Sequence, residues 1–231
     1  MKKVLITGGN KGIGLATTKK FLANSYEVIV VARDFSTLKI KHQNLKLIEF
    51  DLKNHIKIVE LANKIGEVDI LVNNAGIMHA LPFDNYPEEK VEEILSVNIK
   101  SPVALIKEFS KSMLKKKFGR IINVASIAGE IGHPDVWYRI TKAGVINMTK
   151  SFAKALGGKG IVVNAVAPGP VETDLLKTIP KERKEGLKKL VYTGRFAKPE
   201  EVAETIYWLA TDCPEYINGI CVDINNGAFP R

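Results

Sequence analysis

Short β-branched apolar runs alternate with longer stretches of helical period along the whole chain. The runs read as strands at residues 4–6, 27–32, 45–50, 69–72, 120–124, 161–165 and 220–224. The helical stretches fall at 12–23, 88–95, 103–117, 136–156 and 200–211. Strands alternating with helices of this length indicate βαβ units around a parallel sheet. The runs EVIVVA and IVVNAV are apolar almost throughout, as strands covered on both faces should be. A length of 231 residues allows one large domain or two small ones. No repeat, low-complexity tract or Gly/Ser linker divides the chain, so the expectation is one domain over 1–231. It should be a three-layer α/β fold with a doubly wound parallel sheet of about seven strands.

The longest stretch without apolar periodicity is 168–198, containing PGPVETD and KTIPKERKEGLKKL. A long connection inside a compact domain is usually a binding loop or cover. Residues of about 170–198 are expected to cover a substrate and to hold one short, Lys-rich helix. Cys213 and Cys221 form no CxxC pair, which argues against a zinc site or a disulfide framework. At the N-terminus, the apolar run after two lysines is only Val4, Leu5 and Ile6. A secretory core needs about 7–15 apolar residues and a membrane span about 20. The chain is therefore expected to be soluble and cytoplasmic.

After the first strand comes TGGNKGIG, Thr7 to Gly14, with a helix beginning at Gly12. A strand passing through glycines into a helix makes a phosphate cradle. Glycine lets a pyrophosphate approach the main chain, and the helix start offers free N–H groups. The spacing is TGxxxGxG, with Gly8, Gly12 and Gly14 as its glycines. Five further motifs follow in order: NNAG at 73–76, Asn98 between two helices, Ser126 after a strand, YRITK at 138–142, and PGPVET at 168–173. On these motifs the chain resembles the short-chain dehydrogenase/reductase family over essentially its whole length. The resemblance implies a Rossmann-type fold and an enzyme that interconverts a ketone and a secondary alcohol.

Tyr138 and Lys142 are four apart on an expected helix and so share one face. A tyrosine titrating near 10 is a poor base at neutral pH, and a neighbouring ammonium should lower its pKa. Tyr138 then becomes a proton donor or acceptor for the substrate oxygen, with Ser126 hydrogen-bonding the same oxygen. The resemblance gives Lys142 a second task, binding the nicotinamide ribose, and assigns Asn98 to a proton relay leading out from Lys142. Ser126 and Tyr138 are twelve positions apart, one fewer than is usual in the family. The shortened loop, IAGEIGHPDVW, should have a reshaped substrate border. Its His133 reads first as a surface histidine, with a substrate contact as the alternative.

Arg33 ends the second strand where an adenosine ribose is usually read. A carboxylate there selects NAD, whereas an Arg suits the 2′-phosphate of NADP. Lys11 adds a second cation, and Asp34 is the competing carboxylate; the balance favours NADP over NAD. The resemblance also places Asn10 and Ile13 in the turn's cofactor contacts and Asp51 and Leu52 beside the adenine. Asn74, Ala75 and Gly76 should line the cleft, with Pro168, Gly169, Val171 and Thr173 on the nicotinamide side. The short segment between Arg33 and Asp51 implies a reduced helix there.

The chain carries 34 Lys and Arg against 25 Asp and Glu, a net charge of +9. Such a balance can serve nucleic acid, but no RNA motif, zinc finger or basic helix-turn-helix accompanies it. Lys11 and Arg33 tie part of the excess to a bound phosphate instead. Among family members the pattern is most similar to 3-oxoacyl-[acyl-carrier-protein] reductases and to sugar or polyol dehydrogenases. A 3-oxoacyl thioester is the first candidate substrate, and Lys117 and Lys159 are candidate contacts for an acidic carrier protein. A non-catalytic dinucleotide sensor usually lacks the Tyr or the Lys. A sugar-nucleotide epimerase usually has TGxxGxxG and a longer chain. The helices at 103–117 and 136–156 have broad apolar faces; the resemblance implies that they form dimers and tetramers, with a homotetramer as the default.

Overall fold

The computed structural model describes residues 1–177 and 181–230. Part of the expected cover, residues 178–180, and the last residue of the chain lie outside the described residues. Seven parallel strands form one sheet: β1 (Lys3–Thr7), β2 (Glu27–Ala32), β3 (Leu45–Glu49), β4 (Ile70–Asn73), β5 (Gly119–Val124), β6 (Ile161–Pro168) and β7 (Cys221–Ile224). Their order is β3-β2-β1-β4-β5-β6-β7. This is the doubly wound, Rossmann-like arrangement expected from the alternation.

The helices are α1 (Gly12–Ala23), α2 (Ile58–Ile65), α3 (Glu88–Leu95), α4 (Ser101–Lys116), α5 (Val136–Leu156), α6 (Asp174–Lys177), α7 (Lys181–Leu190) and α8 (Pro199–Ala210). Alternate residues of each strand feed opposite layers. Leu5, Ile29 and Val31 pack with α2, α4 and α5 through Leu61, Phe109 and Leu156. Val4, Ile6, Val28 and Val30 pack with α1 and α8 through Phe21, Ile206 and Leu209. Both faces of the central strands are thus buried, which explains their unbroken apolar runs.

Three local outcomes differ from the sequence reading. Helix α2 went unread, although Ile58, Leu61 and Ile65 form its buried stripe. No helix forms between β2 and β3, so that crossover is more than reduced. The expected cover holds a short helix, α6, as well as the Lys-rich α7. Between α3 and α4 the chain passes through a π-helical turn, Ser96–Lys100, with Asn98 at its middle. Such turns inside helices are frequent at functional sites because the wider coil re-aims side chains.

Candidate active site

The strand order reverses between β1 and β4. In open α/β sheets, ligands bind in the crevice beyond the strand ends at this switch point. Helix α1 begins there with Lys11 at its N-cap, no side chain capping it and no acid in its first turn. Its free N–H groups and positive dipole end are therefore suited to an anion. The turn is closed tightly: a Cβ on Gly14 would fall 2.1 Å from the carbonyl oxygen of Gly8. Gly8 and Gly12 take left-handed backbone angles, φ +65° and +52°.

A lattice of hydrogen bonds fixes this turn to β4. Thr7 Oγ1 accepts from the N–H groups of Asn74 and Ala75, both at 3.0 Å. Asn74 Nδ2 donates to the carbonyls of Thr7 and Gly8 at 2.9 and 3.2 Å. Asn74 is thus a strut for the phosphate turn as well as a wall of the cleft. Asn10 Nδ2 donates to the Asp34 carbonyl at 2.8 Å, joining the turn to the end of β2. Arg33 and Lys11 are exposed beside it. The Asp34 carboxylate accepts from Ser36 N at 2.8 Å and Ser36 Oγ at 2.7 Å. The Ser36 bonds hold its pKa below the usual carboxylate range. Asp51 accepts from Lys53 N at 2.9 Å. The Leu52 side chain is buried in the core, and its carbonyl accepts from Ser101 Oγ.

Beyond the strand ends lies a cavity of about 360 Å³. Ser126, Tyr138 and Lys142 line it, with Ile13, Asn74 and Gly76 on one side. Pro168, Gly169, Val171 and Thr173 line the side formed by the end of β6 and the turn after it. A more open hollow, about 540 Å³, beside α1 is lined by Thr173, Lys184 and Glu200 and contains none of Asn98, Ser126, Tyr138 and Lys142.

Ser126 follows β5, and its Oγ accepts from Ala128 N at 3.1 Å, starting a single 3₁₀ turn. Tyr138 and Lys142 are both buried. Lys142 Nζ donates to the Val124 carbonyl at 2.8 Å and lies 5.6 Å from the centre of the Tyr138 ring. Burial pushes Lys142 down to about 8. The expected lowering of Tyr138 is not found. Burial raises the phenol, the Asp135 charge adds to this, and a Ser126 hydrogen bond opposes it. Desolvation is the largest of these causes at the phenol.

Asn98 is buried with its amide fully engaged. It accepts from Ile77 N at 2.9 Å and donates to Ile77 O at 2.9 Å and Thr141 Oγ1 at 3.0 Å. A Cβ on the neighbouring Gly76 would stand 3.3 Å from Lys142 Nζ and 3.5 Å from Asn98 Oδ1. Asn98 therefore clamps the loop that faces Lys142.

His133 is not a surface residue. It is half-buried on the cavity wall, its ring centre 5.4 Å from that of Tyr138. Asp135 was missed altogether. Its Oδ1 caps α5 by accepting from Tyr138 N at 2.9 Å. Its Oδ2 accepts from His79 N at 3.2 Å and Ala80 N at 2.8 Å. The available signal was an Asp immediately before a helix. Arg183 of α7 also lines the cavity and was not singled out.

A phosphate turn at the switch point, opening beside a Ser, Tyr and Lys, defines a dinucleotide-dependent oxidoreductase. The short chain dehydrogenase family model matches residues 2–184, and the chain belongs to that family. It is accordingly an NAD(P)-dependent enzyme acting on CH–OH and C=O groups. The chain is 36% identical over 238 residues to the 3-oxoacyl-[acyl-carrier-protein] reductase FabG of Thermotoga maritima, covering 98% of this chain and 97% of that one. Its identity to the FabG of Aquifex aeolicus is 34% over 241 residues, with 99% and 97% covered. Among solved structures, ElxO with NADP bound superposes with a TM-score of 0.91 at 31% identity, covering 100% and 99%. 4-Hydroxyisoleucine dehydrogenase complexed with NADH gives 0.90 at 28%, covering 99% of each chain.

Proposed function

We propose that this protein is an NADP(H)-dependent reductase of 3-oxoacyl thioesters, interconverting a ketone and a secondary alcohol. The observation that carries it is the convergence of Ser126, Tyr138 and Lys142 in one cavity beside the phosphate turn. The residues present fit the cofactor. A Cβ would fill the Gly14 cradle, and the start of α1 is uncapped. Arg33 and Lys11 are available to a 2′-phosphate, while Asp34, the residue that would favour NAD, is folded onto Ser36. The FabG relatives and the NADP-bound neighbour support this reading.

A nicotinamide dinucleotide held by the Gly8–Gly14 turn and the start of α1 would supply the hydride. Ser126 holds the substrate oxygen, and Tyr138 delivers the proton to it as its own O–H bond breaks. Burial keeps the phenol in its protonated form, the form from which a proton can be given. Lys142 would hold the ribose of that cofactor and, 5.6 Å from the ring centre, would offset negative charge left on Tyr138. Asn98 holds the Gly76–Ile77 turn through which a relay from Lys142 leads out. The test is NADPH and NADH oxidation with an acetoacetyl thioester, a sugar ketone and a plain ketone. Turnover should be highest with NADPH and the thioester. Tyr138→Phe should lower kcat by about 10²-fold or more with little change in NADPH affinity. Near-normal turnover in that variant would refute the mechanism.

A sugar or polyol substrate is the second reading. The cavity wall bears on it: Ile77, Met78, Ile131 and Leu187 offer little to a polyhydroxylated chain. We further assign residues 1–231 to one domain with 170–198 covering the substrate, a cytoplasmic location and a homotetramer. Among the described residues, no helix is long and apolar enough to cross a membrane. Lys117 and Lys159 lie just before β5 and β6, at the end of the sheet opposite the cavity.

A further inference from the structure

Besides Ser126, Tyr138 and Lys142, four polar side chains line the cavity: Asn74, Thr173, His133 and Arg183. Asn74 is bonded to the phosphate turn, and Thr173 Oγ1 donates to the Val171 carbonyl at 3.4 Å. The other two meet across the cavity mouth. His133 comes from the loop between Ser126 and Tyr138, and Arg183 from α7. Arg183 Nη2 lies 3.4 Å from His133 Nε2.

The two nitrogens of His133 can be assigned from their partners. Nδ1 is 3.1 Å from the main-chain N–H of Asp135, which can only donate. Nδ1 is therefore the acceptor. A neutral imidazole has one acceptor nitrogen, so Nε2 carries the hydrogen. Burial and the Arg183 charge both hold His133 below its ordinary pKa, which keeps the ring neutral. A guanidinium has donors only. Two N–H donors thus converge on one point of an otherwise apolar wall, close to the Tyr138 ring. One oxygen acceptor between them would satisfy both.

We infer that His133 Nε2–H and the Arg183 guanidinium form an oxygen-acceptor subsite, which takes the acyl oxygen that a 3-oxoacyl group carries beside its reacting ketone. This rests on the proposed reductase reading and names how the enzyme would distinguish its substrate from a simple ketone. The shared ligand chemistry is an oxygen one carbon removed from the reacting carbonyl, in a thioester or in a free carboxylate. A site built to hydrogen-bond such a group discriminates against an analogue lacking it, because the donors are left unpaired. The subsite also joins α7 to the loop carrying His133.

The test compares Arg183→Ala and His133→Phe with the unaltered enzyme on three ketones of similar length: an acetoacetyl thioester, free acetoacetate and 2-pentanone. Each variant should lose kcat/KM on the 3-oxoacyl compounds at least tenfold more than on 2-pentanone, mainly through KM. His133→Gln, which restores a donor, should recover part of the loss. A larger effect on acetoacetate identifies a carboxylate ligand, and a larger effect on the thioester identifies its carbonyl. Equal losses on all three compounds would overturn the subsite and leave the reductase reading intact. Binding of the acetoacetyl thioester to the NADPH complex of Tyr138→Phe, with and without Arg183→Ala, reads the subsite without turnover. At least tenfold weaker binding is expected. Unchanged binding overturns the inference. Arg183-dependent binding in a protein that oxidises NADPH with no ketone would instead sink the reductase reading.

Discussion

Lys142 carries an ammonium into a buried site, where its one hydrogen bond among the described residues goes to the Val124 carbonyl. Its pKa falls from near 10.5 to about 8. For a lysine lowered on folding, the unfolded chain binds more protons between those two values. The burial cost is fully present below pH 8 and is relieved as pH rises toward 10.5. Its size is on the order of 3 kcal/mol. Lys142→Met should therefore raise Tm at pH 7, with a smaller gain at pH 10, while abolishing turnover. A Tm that stays level or drops at pH 7 would contradict this balance. Arg33 is an exposed side chain at the end of β2. Arg33→Asp should weaken NADPH relative to NADH by tenfold or more, and an unchanged ratio in fluorescence titrations would remove Arg33 from the cofactor site.

At the scale of elements, the placement of Tyr138 depends on how α5 begins. Asp135 caps that helix and fixes residues 79 and 80 of the loop after β4. One carboxylate thus sets the distance between the segment that carries Tyr138 and the segment that follows NNAG. Asp135→Ala leaves several donors unpaired in a buried place and removes the cap. The expected loss is roughly 3 kcal/mol of stability, with a fall in kcat, while Asp135→Asn should recover part of both. Denaturant midpoints of the two variants decide the matter, and equal midpoints for Asp135→Ala and the parent would count against it. The π turn at Ser96–Lys100 works in the same way, turning Asn98 inward onto Ile77 and Thr141.

For the whole molecule, α4 and α5 still show apolar residues to solvent: Val103 is 38% exposed, Val136 37% and Ile140 48%. Helices that already bury one face in the core and keep such residues outside are suited to packing against another copy. Sedimentation should show a species of four chains, and Ile140→Lys with Val103→Asp should shift it to smaller ones. A monomeric parent protein would refute the tetramer. The net charge of +9 also has a more definite place at this scale. Lys11 and Arg33 stand by the phosphate turn, and Arg183 and Lys142 line the cavity. The excess thus includes cations placed at the glycine turn and on the cavity wall.

Much of this protein is legible without a structure because its signals are local. An apolar run buried on both faces says strand, and glycines between a strand and a helix say phosphate turn. Tyr138 and Lys142 share a helix face by spacing alone. Helix α2 was equally open to reading through the spacing of Ile58, Leu61 and Ile65. Other properties depend on groups distant in sequence, and only the tertiary structure decided them. Residues 77 and 98 meet through the Asn98 amide, residues 80 and 135 through the Asp135 carboxylate, and residues 133 and 183 across the cavity. The fate of the Tyr138 proton belongs with these. Sequence puts a lysine one turn away, but packing buries the phenol, and desolvation is the largest influence on it.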